Sequence, residues 1–279
     1  MKYQEDFFKS NKPLRIYYQG WLPETEPKAV FMLIHGLAEH SGRYSNVVNR
    51  FVPSGYAVYG HDHIGHGKSE GRRLYVERFE DLTDTLHTFY EKIKTWHPDK
   101  PIFLLGHSMG GLIGTVYLLD FQSDFSGAIL SGPSVKVPDH ISPATIIVGK
   151  ILSKLLPEFG LMQLESSSIS RDPAVVQAYI HDPLVCTGKM SARLAAELLK
   201  ATHRVTIEAS KISLPILIVH GGADKLVDPD GSQTFYEKLK STDKTIRIYD
   251  RLYHEVFNEP EHEQVLKDIA VWIEERLKR

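Results

Sequence analysis

The chain has 279 residues, and its 33 Lys and Arg against 35 Asp and Glu give a formal net charge of −2. This balance provides no basic surface for nucleic acid, and a single Cys excludes an internal disulfide and any multi-cysteine zinc or iron–sulfur site. The charged N-terminal sequence MKYQEDFFKSNKPLR lacks the apolar core of a secretory signal, so we expect a cytosolic protein.

Short aliphatic and aromatic runs alternate along the chain with amphipathic segments. The predicted strands are 14–20, 28–35, 56–62, 101–106, 127–132, 215–222 and 245–250. The predicted helices are 43–53, 77–97, 109–124, 143–156 and 261–278. The strands lack polar alternation, which is typical of strands covered on both faces in a parallel sheet. We therefore predict an α/β fold with helices flanking a mostly parallel sheet.

The segment between Gly132 and Pro215 has no strong strand signal, although a crossover needs only about a dozen residues. We predict an inserted helical cap over 134–209, with one core made of 1–133 and 210–279. The cap helix 143–156 has an apolar face consisting of Ala144, Ile147, Val148, Ile151, Leu152 and Leu155, with Lys150 and Lys154 opposite. Such a face either rests on a membrane surface or packs on the body of the protein.

Histidine is frequent, with 14 residues in the chain, and four polar side chains cluster after the predicted strand 56–62. His61, Asp62, His63 and His66 have the ligand chemistry of a zinc site. However, no HExxH pattern accompanies them, and Gly-rich turns use such side chains for local hydrogen bonds. We interpret the cluster as structural and expect no metal and no cofactor.

A G-x-S-x-G motif, GHSMG at 106–110, lies between a predicted strand and a predicted helix. In this context the serine occupies a sharp turn that exposes its hydroxyl, and bulky residues at Gly106 or Gly110 would collide with that backbone. The helix begins at Met109, so its free N–H groups and its dipole face the reacting centre. The motif predicts Ser108 as a nucleophile.

A serine nucleophile needs a base, and the base needs an acid that orients it. The fold in which this motif occurs places them in the order serine, acid, histidine. His254 follows a predicted strand in a loop, whereas His262 falls in the closing helix, so we predict His254 as the base. Asp224 follows a Gly-Gly turn and is the predicted acid; Asp228 is the alternative, and Asp230 is expected to be a helix N-cap.

Acyl transfer also needs two N–H donors for the negative charge that forms on the carbonyl oxygen. One is the residue after the nucleophile, Met109, and the other comes from a loop after an early strand. The sequence His35-Gly36-Leu37 fits that loop, so we predict the N–H of Leu37 as the second donor.

Motifs along nearly the whole chain resemble those of monoacylglycerol lipases. They are HGLAEHSGRY (35–44), DHIGHGKSEG (62–71), GHSMGG (106–111), DPLVC (182–186), GGADKLVDP and YHEVFNE (253–259). The resemblance implies an α/β-hydrolase fold with an eight-stranded, mostly parallel sheet under a mobile helical cap. It also implies Ser108, Asp224 and His254 as the catalytic triad, with Leu37 and Met109 as oxyanion donors.

The resemblance further implies residues that contact the substrate. Glu39 and Arg43 match positions near the glycerol end of the family's pocket, and Tyr179 matches a tyrosine of the cap that faces it; the alternative is a salt bridge and a packing aromatic. Ile151 and Leu152 on the cap helix are the candidates for contact with the acyl chain.

The expected activity is hydrolysis of a monoacylglycerol to fatty acid and glycerol through an acyl-enzyme, with transient contact between the cap and a membrane. Lysophospholipase or broad carboxylesterase activity is an alternative, because the triad does not distinguish leaving groups. A non-catalytic lipid-binding protein on the same fold is a further alternative. The sequence leaves the oligomeric state open.

Overall fold

The structure is a computed structural model that describes residues 1–137 and 142–278. Its strands are β1 (Lys2–Lys9), β2 (Arg15–Leu22), β3 (Ala29–Ile34), β4 (Tyr56–His61), β5 (Ile102–His107), β6 (Gly127–Ser131), β7 (Gly160–Met162), β8 (Met190–Ser191), β9 (Ile216–Gly221) and β10 (Lys244–Tyr249). Its helices are α1 (Ser45–Phe51), α2 (Glu80–Trp96), α3 (Met109–Phe121), α4 (Pro143–Leu155), α5 (Pro173–His181), α6 (Ala192–Glu208), α7 (Pro229–Lys238) and α8 (His262–Leu277).

Eight of these strands form one sheet in the order β1-β2-β4-β3-β5-β6-β9-β10. β2 pairs antiparallel with β1 and with β4, and the other neighbours in the sheet are parallel. This confirms the predicted eight-stranded, mostly parallel α/β sheet. β1 was not predicted, because its sequence KYQEDFFK contains no continuous apolar run and the strand lies exposed at the sheet edge.

Both faces of the central strands are buried. In β3, Met32 and Ile34 belong to the apolar cluster that includes residues of α2, α3 and α6, whereas Phe31 and Leu33 belong to the cluster that includes residues of α1 and α8. Successive residues of a strand point to opposite faces. A continuous apolar run is therefore what burial between two helical layers requires.

The predicted cap segment lies in the chain between two neighbouring strands of the sheet. β6 pairs directly with β9, with Ala128 opposite Ile216, and the chain between them forms α4, α5, α6 and the small antiparallel pair β7-β8. α6 packs against both α3 and α4, so it connects a helix beside the sheet with the first helix of the predicted cap segment. The predicted boundaries 134–209 stay a prediction, and residues 138–141 within them lie outside the described residues.

Candidate active site

Four loops carrying predicted site residues leave the sheet at the same edge. They follow β3, β5, β9 and β10, which run parallel, so the carboxyl ends of these strands meet at that edge. Leu37, Ser108, Asp224 and His254 lie in these loops or at their ends. Residues far apart in the chain are thereby brought to one place.

Ser108 lies between β5 and α3 with φ 53° and ψ −118°, a costly conformation for a residue with a Cβ. Packing on both sides holds it there. A Cβ at Gly110 would lie 2.1 Å from the carbonyl oxygen of Ile34, so the first turn of α3 presses directly on the end of β3. The N–H of Ser108 donates to the carbonyl of Ser131 at 2.9 Å. The strained turn therefore depends on glycine at position 110.

Asp224 and His254 are in direct contact, with Nδ1 of His254 2.6 Å from Oδ2 of Asp224. The other carboxylate oxygen accepts the N–H groups of Leu226 and Val227 at 2.8 and 3.0 Å. Burial opposes ionisation of Asp224, but His254 and His220 outweigh it and hold the pKa of Asp224 well below its usual range. Burial also disfavours charge on His254, yet Asp224 raises the pKa of His254 above its ordinary value. This is the pairing that orients an imidazole and stabilises its charged form.

The alternative acid Asp228 and the alternative base His262 contact groups other than Asp224 and His254. Oδ1 of Asp228 accepts the N–H of Asp230 at 3.0 Å, and its Oδ2 lies 3.0 Å from Nζ of Lys136. Asp228 is thus the N-cap of α7, and the expectation that Asp230 caps this helix is wrong, because the helix begins before Asp230. His262 is the first residue of α8, and its Nδ1 contacts the carbonyl of Glu259 at 2.8 Å.

His220 at the end of β9 is a partner of Asp224 that sequence reasoning missed. Its Nε2 lies 3.0 Å from Oδ2 of Asp224, and its Nδ1 lies 2.7 Å from Oγ of Ser232. The side chain is fully buried. The available signal was a histidine that ends an apolar strand four residues before the acid, in PILIVHGGAD. Strand periodicity alone does not say which group such a side chain contacts.

A second imidazole, His107, lies beside His254, with ring centroids 4.6 Å apart. Nδ1 of His107 lies 3.1 Å from the carbonyl oxygen of Ser131. Burial, together with the neighbouring His254, lowers the pKa of His107 to about 3. His107 is therefore neutral near pH 7, and a charge on His254 meets no second positive ring.

Leu37 and Met109 each present a backbone N–H for which no protein acceptor exists within the described part of the chain. Met109 is the first residue of α3, where helical N–H groups have no partner inside the helix. The loop of Leu37 is fixed by Ala38, which has φ 68°, and by Glu39, whose Oε1 accepts the N–H of Gly36 at 2.6 Å. Two unpaired donors on fixed backbone are what an oxyanion site requires.

The predicted substrate contacts Glu39, Arg43 and Tyr179 lie side by side. Nη1 of Arg43 donates to Oε2 of Glu39 at 3.0 Å, and the guanidinium lies 4.6 Å from the centroid of the Tyr179 ring. The buried hydroxyl of Tyr179 has no hydrogen-bond partner among the described residues. The charged groups of Glu39 and Arg43 are thus satisfied within the protein, whereas the hydroxyl of Tyr179 is not.

The predicted apolar face of the cap helix is exposed. Ile151 is 50% and Leu155 is 73% exposed, and Ile147 and Val148 are exposed beside them, whereas Leu152 is partly buried. α4 packs on α6, and its Ser153 is buried. The exposed residues of this face are therefore not packed on the body of the protein, which was one of the two interpretations of the face.

Local hydrogen bonds hold the histidine-rich turn after β4. Oδ1 of Asp62 accepts the N–H and hydroxyl of Ser41, and its Oδ2 accepts the N–H of Lys68. The N–H of His63 donates to Nε2 of His35 at 2.9 Å. Residues 1–137 and 142–278 contain no group of three or more His, Cys, Asp or Glu arranged to hold a metal ion.

Known proteins share both the sequence and this architecture. The model of the serine aminopeptidase S33 family, Hydrolase_4, matches residues 25–261. A monoacylglycerol lipase of Mycolicibacterium smegmatis is 40% identical over 260 residues, which are 93% of each chain. The chain belongs to the monoglyceride lipase family of α/β-hydrolases. The human monoglyceride lipase is 34% identical over 264 residues, covering 94% of this chain and 87% of the relative.

A solved structure agrees with this family membership. The monoacylglycerol lipase of Paleococcus ferrophilus matches with a TM-score of 0.84 and 31% identity over 94% of this chain and 99% of its own. As a monoglyceride lipase family member, the protein is a carboxylic ester hydrolase. None of the helices in the described part of the chain combines the length and the hydropathy needed to cross a bilayer.

Proposed function

We propose that the protein hydrolyses monoacylglycerols to fatty acid and glycerol through an acyl-enzyme on Ser108. The observation that supports this most directly is the contact between Asp224 and His254 at the sheet edge where the strained Ser108 turn begins. Relatives named for this activity cover almost the whole chain.

In the first step the Ser108 hydroxyl attacks the ester carbonyl while His254 accepts its proton. Asp224 stabilises the imidazolium and keeps the ring oriented. The oxyanion accepts hydrogen bonds from the N–H groups of Leu37 and Met109. In comparable sites each such donor contributes about 10²–10³ in rate. His254 then protonates the departing glycerol oxygen. A water molecule, deprotonated by His254, attacks the acyl-enzyme carbonyl, and His254 returns the proton to the Ser108 oxygen as the fatty acid leaves.

For the glycerol end of the substrate we propose an unequal division among the three candidates. Tyr179 offers its hydroxyl as a direct hydrogen-bonding group, because it lacks a partner among the described residues. Glu39 and Arg43 act indirectly. Glu39 accepts a hydrogen bond from the oxyanion loop, and Arg43 packs on the Tyr179 ring. Tyr179→Phe is therefore expected to raise KM for monoolein more than KM for a p-nitrophenyl ester, which has no glycerol.

For the acyl end we propose that the exposed apolar face of α4 meets the lipid surface and that Ile151 and Leu152 contact the acyl chain as it leaves the bilayer. Burying one such side chain fully contributes about 1.5–3 kcal/mol. Lys150 and Lys154 are exposed on the same helix and are attracted to anionic headgroups. The face is therefore a transient membrane contact of the peripheral kind.

The chemistry is tested by active-site labelling and product release. A fluorophosphonate probe should label wild-type protein and a Ser54→Ala control equally, and Ser108→Ala not at all. Glycerol release from monoolein should follow the same pattern. Normal turnover by Ser108→Ala would disprove the mechanism. A higher kcat/KM for lysophosphatidylcholine than for monoolein would leave the mechanism intact and overturn the substrate assignment.

The membrane contact is tested by co-sedimentation with vesicles of mixed neutral and anionic phospholipid. Ile151→Glu and Val271→Glu form a matched pair, because both wild-type residues are 50% exposed but Val271 lies on α8, outside the predicted cap segment. The first variant should lose vesicle binding by about tenfold, corresponding to burial of part of one side chain. The second should bind like wild type. Equal binding by both variants would contradict the proposed contact.

A further inference from the structure

Two buried carboxylates share one guanidinium close to the proposed catalytic residues. Arg43 donates from Nη1 and Nη2 to the two oxygens of Glu255 at 2.6 and 2.8 Å. Its Nη1 also donates to Glu39 at 3.0 Å. Glu39 and Glu255 are only 3% and 5% exposed. A buried charge requires a partner and further hydrogen bonds, and each of these charges has both.

Each carboxylate is attached to a different catalytic loop. Glu255 directly follows His254 in the chain. Glu39 follows the oxyanion loop, where its Oε1 accepts the N–H of Gly36 at 2.6 Å and the hydroxyl of Tyr44 at 2.7 Å. Arg43 therefore connects, through two ion pairs, the loop of the proposed base with the loop that presents the oxyanion donor.

Two further contacts fix Glu255 itself. Its backbone N–H donates to the carbonyl of Ile169 in the cap at 2.8 Å, and Asn258 donates from Nδ2 to its Oε2 at 2.8 Å. The bidentate pair with Arg43 restricts orientation as well as distance. A residue held by three hydrogen bonds to its carboxylate and one from its backbone N–H cannot move without moving the adjacent His254.

We propose that Glu255 is a positioning residue of this hydrolase: through Arg43 and Glu39 it sets the distance between His254 and the oxyanion loop, and its charge stabilises the protonated imidazole. This inference rests on the proposed roles of Ser108 and His254. It adds a residue to which the sequence pattern gave no role. Because misplacement of a catalytic group by about 1 Å costs on the order of 10²-fold in rate, such a link has a measurable effect.

The charges around His254 allow the proposal to be tested by the pH dependence of activity. The groups that face it are Asp224, which is also bonded to His220, the neutral His107, and the cluster of Glu39, Arg43 and Glu255. With both carboxylates ionised, the two carboxylates and one guanidinium have one net negative charge; burial and the neighbouring Glu255 raise the pKa of Glu39, and Arg43 opposes that rise. Burial works against the charged imidazole, but Asp224 first and Glu255 and Glu39 after it raise the pKa of His254.

Glu255→Gln removes the charge but nearly preserves the shape. The cluster becomes neutral, so the protonated form of His254 loses stabilisation and its pKa falls. Since the neutral imidazole is the active base, the midpoint of the acidic limb of kcat/KM should move to lower pH by about half a unit or more. The loss of one charge-assisted link should lower kcat by about tenfold with KM nearly unchanged. Hydrolysis of p-nitrophenyl butyrate from pH 4.5 to 9 measures both quantities.

Glu255→Asp is the complementary variant, because it keeps the charge but is one methylene too short for the bidentate pair. Its acidic limb should stay at the wild-type pH while kcat falls. Glu259→Gln is the matched control: Glu259 lies in the same loop, is fully buried and pairs with Arg171 of the cap, not with the oxyanion loop. It should leave the acidic limb unchanged.

The outcomes separate this inference from the proposed function. If the fluorophosphonate probe does not label Ser108 in wild-type protein, the proposed function fails. If it labels Ser108 and Glu255→Gln keeps the wild-type kcat and acidic limb, the role of Glu255 is refuted. An equal limb shift in Glu255→Gln and Glu259→Gln also refutes it, since loosening of the loop would then be the cause. Near-ultraviolet circular dichroism verifies that each variant is folded.

Discussion

The close contact between α3 and β3 makes a strong prediction about two helical glycines. A Cβ at Gly110 would lie 2.1 Å from the carbonyl oxygen of Ile34 and 2.4 Å from that of His35. Since neither backbone carbonyl is a flexible group, the helix itself must move by about 1 Å. At Gly149 in α4, an added Cβ meets no described atom within 4 Å, so this position provides the control.

The expected magnitude follows from these distances. Inserting a methyl group into a packed interior costs about 1–3 kcal/mol, and more where backbone must move. We expect Gly110→Ala to lose about 3 kcal/mol or more of unfolding free energy, which lowers Tm by roughly 6–12 °C in a chain of this size. Gly149→Ala should gain up to about 1 kcal/mol, because alanine is the better helix former.

Differential scanning calorimetry measures both variants, and labelling by a fluorophosphonate reports the site. Because movement of α3 displaces Ser108 and the Met109 N–H together, Gly110→Ala should also label far more slowly at a temperature where it is folded. A Tm for Gly110→Ala within 2 °C of wild type would refute the argument that glycine is required by packing. A similar fall in Gly149→Ala would refute its local origin.

Two further predictions concern charge and protonation. Asp224→Asn should lower kcat by about 10⁴ in monoolein turnover, and Asp228→Asn should keep it; the opposite result would reverse the assignment of the acid. Burial lowers the pKa of His61 from 6.5 to about 3, so the folded chain binds fewer protons than the unfolded chain between these values, and stability falls as pH drops through this window. At pH 5 this one group costs about 2 kcal/mol. His61→Phe, beside Phe89, should remove that loss in urea denaturation at pH 5 relative to pH 7, and an unchanged difference would contradict the reasoning.

The exposed face of α4 shows what helical periodicity in a sequence can and cannot predict. The spacing of apolar residues correctly predicted a helix at 143–156, since α4 covers Pro143–Leu155. It did not decide whether that face is buried, because the same pattern serves a protein interior and a lipid surface. Ile151 and Leu155 are exposed although α4 packs on α6, and only the tertiary structure shows this.

The sequence pattern did not predict several short or polar elements. β1 has no continuous apolar run, carries Lys2, Glu5, Asp6 and Lys9, and lies at an edge of the sheet. α5 and α6 were not predicted because the cap region offered mixed patterns, and the helix seen as α7 was expected only from its N-cap, which was placed at Asp230 and lies at Asp228. These elements owe their stability to neighbours supplied by the fold. α6, for example, buries Ala201 and Val205 in the cluster that also contains α3.

The sequence by itself determined the α/β class and the order of most strands, and it predicted Ser108, Asp224 and His254 as a triad, because strand burial and the G-x-S-x-G turn leave local patterns. It identified Glu39 and Arg43 only by resemblance, and it gave no role to His220 or Glu255. The role proposed for Glu255 depends on its contact with Arg43, 212 positions away in the chain. Only the tertiary structure decides such contacts, because local sequence carries no information about which buried charge meets another.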